Sequence, residues 1–550
     1  MNARTLLDNF DLIADAPGGV PKLRELILQL AVRGKLVPQD SKDVSVHVTR
    51  STDTTEPGPK YAIPAKWIWT QLGCVIDYNY GGKTASERIP GDAWLLDLED
   101  IEKDTSLLLQ RVLAGDRKST STKSQFSAGD VLYGKLRPYL NKVLVANSDG
   151  YCTTEIVPMK PLKGVNPHYV VCVLKSRDFL DFTAARSYGM KMPRLGTEDA
   201  KRAPFPLPPL PEQKRIVAKV DELMKRCDEL ESRQKERVAH HKTLVASCLN
   251  ALSGTKCDPE FIIHHSTFNI LFSSPESIAE LRKTILQLAV KGQLVAQDPR
   301  DEPATVLLRK IAAAKKDLFN AGVIKTSDIK VPIEKMKGRY SVPGNWCWTN
   351  IESVSVVGTG STPSRSNSAY FSSGSIPWVT SSATSAETID HTDNLITEIA
   401  QKETRLRLYP SGTVIVALYG QGKTRGQSST LGIAATINQA CAAIQIPFAV
   451  DTIRSYVLLV FKKMYDEIRE EAAGGAQPNL NVAKIKAMAV PLPPLAEQKR
   501  IVAKVHELMV MCDELEAKLT QSNAVAEKLA KSVVGRVGEN ENCCCLISIN

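Results

Sequence analysis

One 26-residue segment occurs twice. PLPPLPEQKRIVAKVDELMKRCDELE (Pro206–Glu231) returns 285 residues later as PLPPLAEQKRIVAKVHELMVMCDELE (Pro491–Glu516), with four positions changed. LRELILQLAVRGKLVPQD (Leu23–Asp40) returns as LRKTILQLAVKGQLVAQD (Leu281–Asp298), and IPAKWIWT (Ile63–Thr70) as VPGNWCWT (Val342–Thr349), in the same order. The intervening stretches, Gln71–Phe205 and Asn350–Val490, share little. A repeated frame therefore carries two different inserts, which implies two different things read at a fixed separation.

The repeated segments are helical in pattern. Glu212 to about Leu252 follows Pro208, Pro209 and Pro211, placed where a helix start tolerates proline. Alternating steps of four and three from Ile216 reach Val220, Leu223, Cys227 and Leu230, then Gln234, Arg237 and His241, then Leu244 and Cys248. The second copy runs through Ile501, Val505, Leu508, Cys512, Leu515, Leu519, Ser522, Ala526, Leu529 and Val533. Both are coiled-coil seams, and each is the expected partner of the other. About 40 residues make a rod of roughly 60 Å, and repeated halves packing about a pseudo-twofold axis would set the two rods antiparallel. Short helices are expected at Leu23–Val32 and Leu281–Val290; the first lacks a preceding long helix and would pack beside the end of the last one, closing the chain into a circle. GENENCCCLISIN has no periodicity and reads as a loose tail.

The inserts mix short alternating apolar runs, DVLYGKL (Asp130–Leu136), KVLVAN (Lys142–Asn147) and TVIVALYG (Thr413–Gly420), with Gly, Ser, Thr and Pro. They read as α+β modules of one fold with divergent faces. The net charge of +10 does not by itself demand nucleic acid, but the cations cluster. YGKLRPYLNK (Tyr133–Lys142) holds Lys135, Arg137 and Lys142 among Tyr139 and Asn141 with no acid; Arg186, Lys191, Arg194, Lys201 and Arg202 form a second group, and Lys402, Arg405, Arg407, Lys423 and Arg425 a third. Such mixtures suit phosphate contact combined with base reading. The 12 cysteines include no C-x-x-C pair, so reduced thiols are expected rather than a zinc site. No run of 18 apolar residues and no signal-peptide pattern appears, which points to the cytoplasm.

Catalytic patterns fail on inspection. Asn166-Pro167-His168-Tyr169 lacks the second proline of the N-P-P-Y motif that holds a target amine in amino-methyltransferases. Gly422-Lys423-Thr424 and Gly82-Lys83-Thr84 end like phosphate loops, but the required first glycine is Ala417 in one and Asp77 in the other. Glu212-Gln213-Lys214 and Glu497-Gln498-Lys499 look like half of a nuclease site, yet an early Glu fits the positive end of a helix dipole. The pairs His240-His241 and His264-His265 lack companions at ligand spacing.

The doubled PLPPLxEQKRIVAKVxELM and LxxxILQLAVxGxLV, with LYGKLRPYLNK in one insert and GxGSTPS…IPWVTSS in the other, closely resemble the specificity subunit of type I restriction-modification enzymes over roughly Leu23–Val534. The resemblance implies an α+β chain: 1–62 N-terminal helical region, 63–205 first target-recognition domain, 206–298 repeated helical region, 299–341 linker, 342–490 second target-recognition domain, and 491–550 repeated long helix with tail. It implies that each insert reads one half of a split double-stranded DNA target, and that the helices hold the inserts apart and dock two methyltransferase subunits together with restriction/translocase subunits. S-adenosylmethionine, Mg and ATP belong on those partners; the specificity chain binds none and catalyses nothing. The candidate DNA contacts are Lys83, Lys135, Arg137, Tyr139, Asn141, Lys142, Lys191 and Arg194 in the first insert, and Thr362, Tyr419, Gln421, Lys423, Arg425, Gln427, Gln477 and Asn479 in the second. The candidate docking residues are Ile216, Val220, Leu223, Leu230, Ile501, Val505, Leu508 and Leu515. The alternative is a non-DNA scaffold with two protein-binding modules on a helical spacer.

Overall fold

The computed structural model describes residues 3–46, 61–117, 120–189, 191–254, 268–330, 332, 336–420, 423–447, 451–473 and 480–535. The cysteine tail, His264-His265, Gln421, Gln477 and Asn479 lie outside them. The chain divides into two compact units, one holding residues up to Val238 and from Ser522 onward, the other Ala239–Gln521. The first short helix and the end of the last helix thus belong to the same unit.

In the first unit, the helix Gly19–Val32 buries Leu23, Leu26, Ile27 and Leu30 in one core with Ile216, Val220, Leu223 and Cys227 of the long helix Leu210–Gly254. The period of 3.6 makes one apolar stripe on each helix, and each stripe is covered by the other and by Tyr169, Val173 and Phe205 of the insert. Arg24 fastens the pair from the rim, donating to Asp228 at 2.7 Å and Glu231 at 2.8 Å. The polar middle of the seam also has local partners: Gln234 donates to the Ala14 carbonyl at 2.9 Å, and Arg237 lies 3.4 Å from Asp15. Gly34 ends the short helix at φ +66°, where a Cβ would overlap the Pro64 ring.

In the second unit, the helix Pro275–Lys291 places Leu281, Ile285 and Leu288 in a core with Ile501, Val505, Leu508 and Cys512 of the helix Leu495–Gly535 and with Tyr456, Val457 and Val460. Arg282 reaches Asp513 at 2.6 Å and Glu516 at 3.0 Å. Gly292, φ +70°, meets Pro343 as Gly34 meets Pro64. Residues 299–341, read from the sequence as a linker, contain the 17-residue helix Ala304–Asn320, with Leu307, Leu308 and Ile311 buried in this core. Of the expected docking residues, Ile216, Val220, Leu223, Ile501, Val505 and Leu508 are buried within their own units, whereas Leu230 and Leu515 are half-buried at the edges of the same cores.

The inserts are mixed helix and sheet. The first has an antiparallel sheet in the order Ile76–Tyr78, Ile156–Pro161, Val131–Gly134, Val143–Val145, and a second in the order Lys83–Thr84, Lys123–Phe126, Gly150–Thr153, Leu95–Leu96, whose last pair is parallel. The second insert has a five-stranded sheet around Cys441–Gln445 and Val414–Ala417 and a three-stranded one centred on Ile376–Val379. Each insert is bounded by a two-stranded antiparallel ribbon, Ile68–Gln71 with Pro204–Leu207 and Cys347–Asn350 with Ala489–Leu492. Proline is tolerated there because each strand has an open edge.

Candidate nucleic-acid interface

Each insert is held at its root by the same set of bonds. Trp67 Nε1 donates to Glu212 Oε2 at 2.9 Å and Gln39 Nε2 to Glu212 Oε1 at 2.5 Å; Trp346 and Gln297 do the same to Glu497 at 2.9 and 2.6 Å. Arg215 pairs with Asp43 at 2.7 Å, and Arg500 with Asp301 at 2.6 Å. Tyr169 and Tyr456 donate to the carbonyls of Pro206 and Pro491. Burial pushes both Glu212 and Glu497 above the ordinary carboxylate range, against the opposing effect of the indole and amide donors. These glutamates, which the sequence marks as helix-start residues, are therefore buried acceptors that join helix, short helix and insert. The N-P-H-Y segment is structural too: Asn166 Oδ1 caps the helix Pro167–Leu174 and Tyr169 sits in the core.

In the first insert the cationic segment is a strained turn. Val131–Gly134 leaves the sheet, and Arg137 and Asn141 adopt left-handed backbone at φ 51° and 53°, on either side of the short 3-10 turn Pro138–Leu140. Asparagine adopts such angles comparatively readily, but Arg137 holds one only where the surroundings enforce it. The enforcing bonds are Arg137 N to Pro193 O at 2.7 Å, Lys135 N to Glu155 O at 3.0 Å, Leu195 N to Lys135 O at 3.1 Å and Ser106 Oγ to Asn141 O at 2.8 Å. Arg137 and Tyr139 are left exposed, as are Lys83 and Lys191, and Lys135 is half-buried. Two expected contacts are otherwise engaged. Lys142 Nζ donates to the Leu98 carbonyl at 2.7 Å, and Arg194 donates from Nε and Nη2 to the Glu155 carboxylate at 3.1–3.3 Å. Arg186 likewise lies over the Phe182 ring, 4.9 Å from its centroid.

In the second insert the described candidates fall on two segments, after Val356–Thr359 and after Val414–Ala417. Thr362 is exposed and donates to Gln439, while Tyr419 and Lys423 are exposed on the segment after Val414–Ala417, with the Lys423 carbonyl accepting from Tyr465 at 2.5 Å. Arg425 is half-buried, and Gln427 accepts a long bond of 3.4 Å from Thr384. Arg407 is half-buried and donates to Gln445 at 2.8 Å, whereas Lys402 and Arg405 are exposed. Sequence reasoning missed the acceptors that use up Lys142 and Arg194. It also passed over Tyr188 and Met192, 61% and 45% exposed on the segment whose Pro193 and Arg194 bond this turn; an aromatic and a methionine around Gly189, between basic residues, were the available signal.

The family model described as type I restriction modification DNA specificity domain matches residues 116–240 and 343–522, more than half of the chain. The chain belongs to this family. Among curated relatives, it is 30% identical over 386 residues to the type I restriction enzyme EcoAI specificity subunit of Escherichia coli, an alignment spanning 61% of this chain and 62% of that protein. To the EcoEI specificity subunit of the same organism it is 24% identical over 580 residues, spanning 94% and 93%. A solved chain from work on assembly and conformational transition of the type I R-M system matches at TM-score 0.52 and 18% identity, covering 87% of this chain and 98% of that one, a likeness of fold. The family carries a role in DNA sequence specificity, which displaces the protein-scaffold reading. Among the described residues, no group of three or more His, Cys, Asp or Glu is placed to hold a metal ion, and no helix is long and apolar enough to cross a membrane.

Proposed function

We propose that this chain is the non-catalytic specificity subunit of a type I restriction-modification complex, reading a bipartite DNA target with one half-site per insert. The observation that carries the reading is the repeated root: two dissimilar inserts are anchored by the same Trp–Glu bond, beside matching Gln–Glu and Arg–Asp bonds within the frame, on helices of near-identical sequence. A frame built twice around unlike inserts has the form required to present two readers to one duplex. The long helices act as an antiparallel coiled-coil spacer with pseudo-twofold symmetry. Methyltransferase and restriction/translocase subunits, which bring S-adenosylmethionine, Mg and ATP, dock on the exposed flanks of those helices, where Asp221, Lys225 and Glu229 face solvent. Contacts in the first half-site fall to Lys83, Lys135, Arg137, Tyr139 and Lys191, and in the second to Thr362, Tyr419, Lys423 and Arg425.

Exchange of residues 71–205 for the corresponding insert of another family member tests this. Mapping methylated adenines in cells carrying the exchanged chain should show one half of the target changed and the other kept. Simultaneous change of both halves refutes independent readers.

A further inference from the structure

Resting on that DNA reading, we propose that Tyr188 and Met192 form the apolar, base-contacting part of a reading tip in the first insert, with Arg137 and Lys191 as its phosphate-contacting part. The scaffold of the tip is well fixed. Tyr188 and Arg194 exchange backbone bonds at 3.1 and 2.9 Å, Leu136 bridges to Arg194, and Arg137 N donates to Pro193 O. The Arg194 guanidinium, forked on Glu155, ties this hairpin to the sheet, because the Glu155 carbonyl also accepts from Lys135 N. Arg194 is therefore a positioning residue. Tyr139, Tyr188 and Met192 are 59%, 61% and 45% exposed on two segments joined by these backbone bonds.

Charge selects the occupant. Glu155 is paired with Arg194 and Asp199 with Arg186 at 3.8 Å, and among the described residues no ion pair engages Arg137 or Lys191, so both cations are available on this surface. Cations flanking apolar side chains complement a duplex, in which anionic rails flank base edges that include the thymine methyl group. Met and aromatic side chains also serve as wedges at deformable base steps. The rigid mount suits reading, since a mobile tip would lose the registration on which discrimination depends.

The test uses the full chain assembled with its methyltransferase subunits. Affinity is measured across a salt series for the mapped target duplex and for duplexes with one base pair altered in either half-site. Tyr188→Ala with Met192→Ala should cut discrimination at the first half-site about tenfold, leaving the second half-site and the salt slope unchanged. Arg137→Ala should lower the slope by about 0.9 and weaken every duplex alike. Tyr188→Phe with Met192→Leu, which keeps shape and apolarity, should discriminate as the unmodified chain does. An alanine pair that discriminates normally, or that weakens only assembly with the methyltransferase, overturns the proposal while leaving the bipartite reading standing. An unmodified chain that discriminates at neither half-site overturns both.

Discussion

Replacing Glu212 with alanine should loosen the root of the first insert by an amount set by one buried donor. Trp67 is 4% exposed and its indole N–H has Glu212 as partner at 2.9 Å; removing the carboxylate strands that donor, at about 1–3 kcal/mol. Gln39 is exposed and can turn to water, so its bond contributes little to the loss. Because the chain has two units, a single unfolding midpoint is not a clean measure. Amide hydrogen exchange resolved on the ribbon Ile68–Gln71 and Pro204–Leu207 reads the site directly. Exchange there should accelerate about 5- to 150-fold, and Glu497→Ala should do the same to Cys347–Asn350 and Ala489–Leu492. Glu212→Gln keeps an acceptor for Trp67 and should cost less. Its pH dependence has a definite sign. Burial raises the folded-state value of Glu212 above its ordinary 4.5, so the folded chain holds the proton more tightly than the unfolded one. Stability of the unmodified chain relative to Glu212→Gln therefore falls as pH rises from about 4.5 through the folded-state value. Unchanged ribbon exchange in Glu212→Ala, or a relative stability that rises over this window, refutes the reasoning.

Lys142→Ala should leave the salt slope of DNA binding unchanged while speeding exchange around Leu98, because its ammonium is spent on that carbonyl; a slope lowered by about 0.9 would show a phosphate contact instead. Lys315, 2% exposed and lowered by desolvation to about 8 from 10.5, costs stability while charged, so the unmodified chain should gain on Lys315→Met by up to about 3 kcal/mol as pH rises from 8 to 10.5, followed by local exchange around Ala304–Asn320. Purified chain alone should neither methylate nor cut DNA, and methylation should appear on adding the methyltransferase subunit; donor-dependent methylation by the chain itself refutes the non-catalytic assignment. Four residues inserted after Glu231, about one helical turn or roughly 6 Å, should shift the preferred gap between half-sites by one or two base pairs, read by binding to duplexes of varied gap. An unmoved gap optimum would show that the helices do not set the distance.

The frame was legible because repetition and helical period reinforce one another. Ile216, Val220 and Leu223 mark a buried stripe whatever covers it, but periodicity does not say what covers it, and the short helix of the same unit does so. The root bonds were also written in the repeat, since Trp67, Gln39, Asp43, Glu212 and Arg215 all recur as Trp346, Gln297, Asp301, Glu497 and Arg500. The signal was the retention of polar residues beside apolar ones. The helix Ala304–Asn320 was passed over because it lies between the repeated markers, although its Leu307, Leu308 and Ile311 spacing is helical. In the inserts, strands such as Val131–Gly134 and Val414–Ala417 followed from alternating apolar runs. The use of Lys142 and Arg194 did not, because their acceptors lie 44 and 39 residues away in sequence. Left-handed Arg137 was equally hidden, as its angle is enforced by distant backbone rather than by residue type, whereas an asparagine such as Asn141 is one of the few residues that adopts it readily.

The ribbons that open and close the inserts share one register: Ile68 faces Leu207 and Gln71 faces Pro204, as Cys347 faces Leu492 and Asn350 faces Ala489. Each insert thus leaves and rejoins the frame at neighbouring points, through short strands that pair by backbone and whose flanking residues recur in both copies. Exchanging an insert within these strands keeps Trp67 with Glu212 and Trp346 with Glu497, since both pairs lie outside them. Under the proposed bipartite reading, a new pairing of half-sites would need no compensating change in the helices.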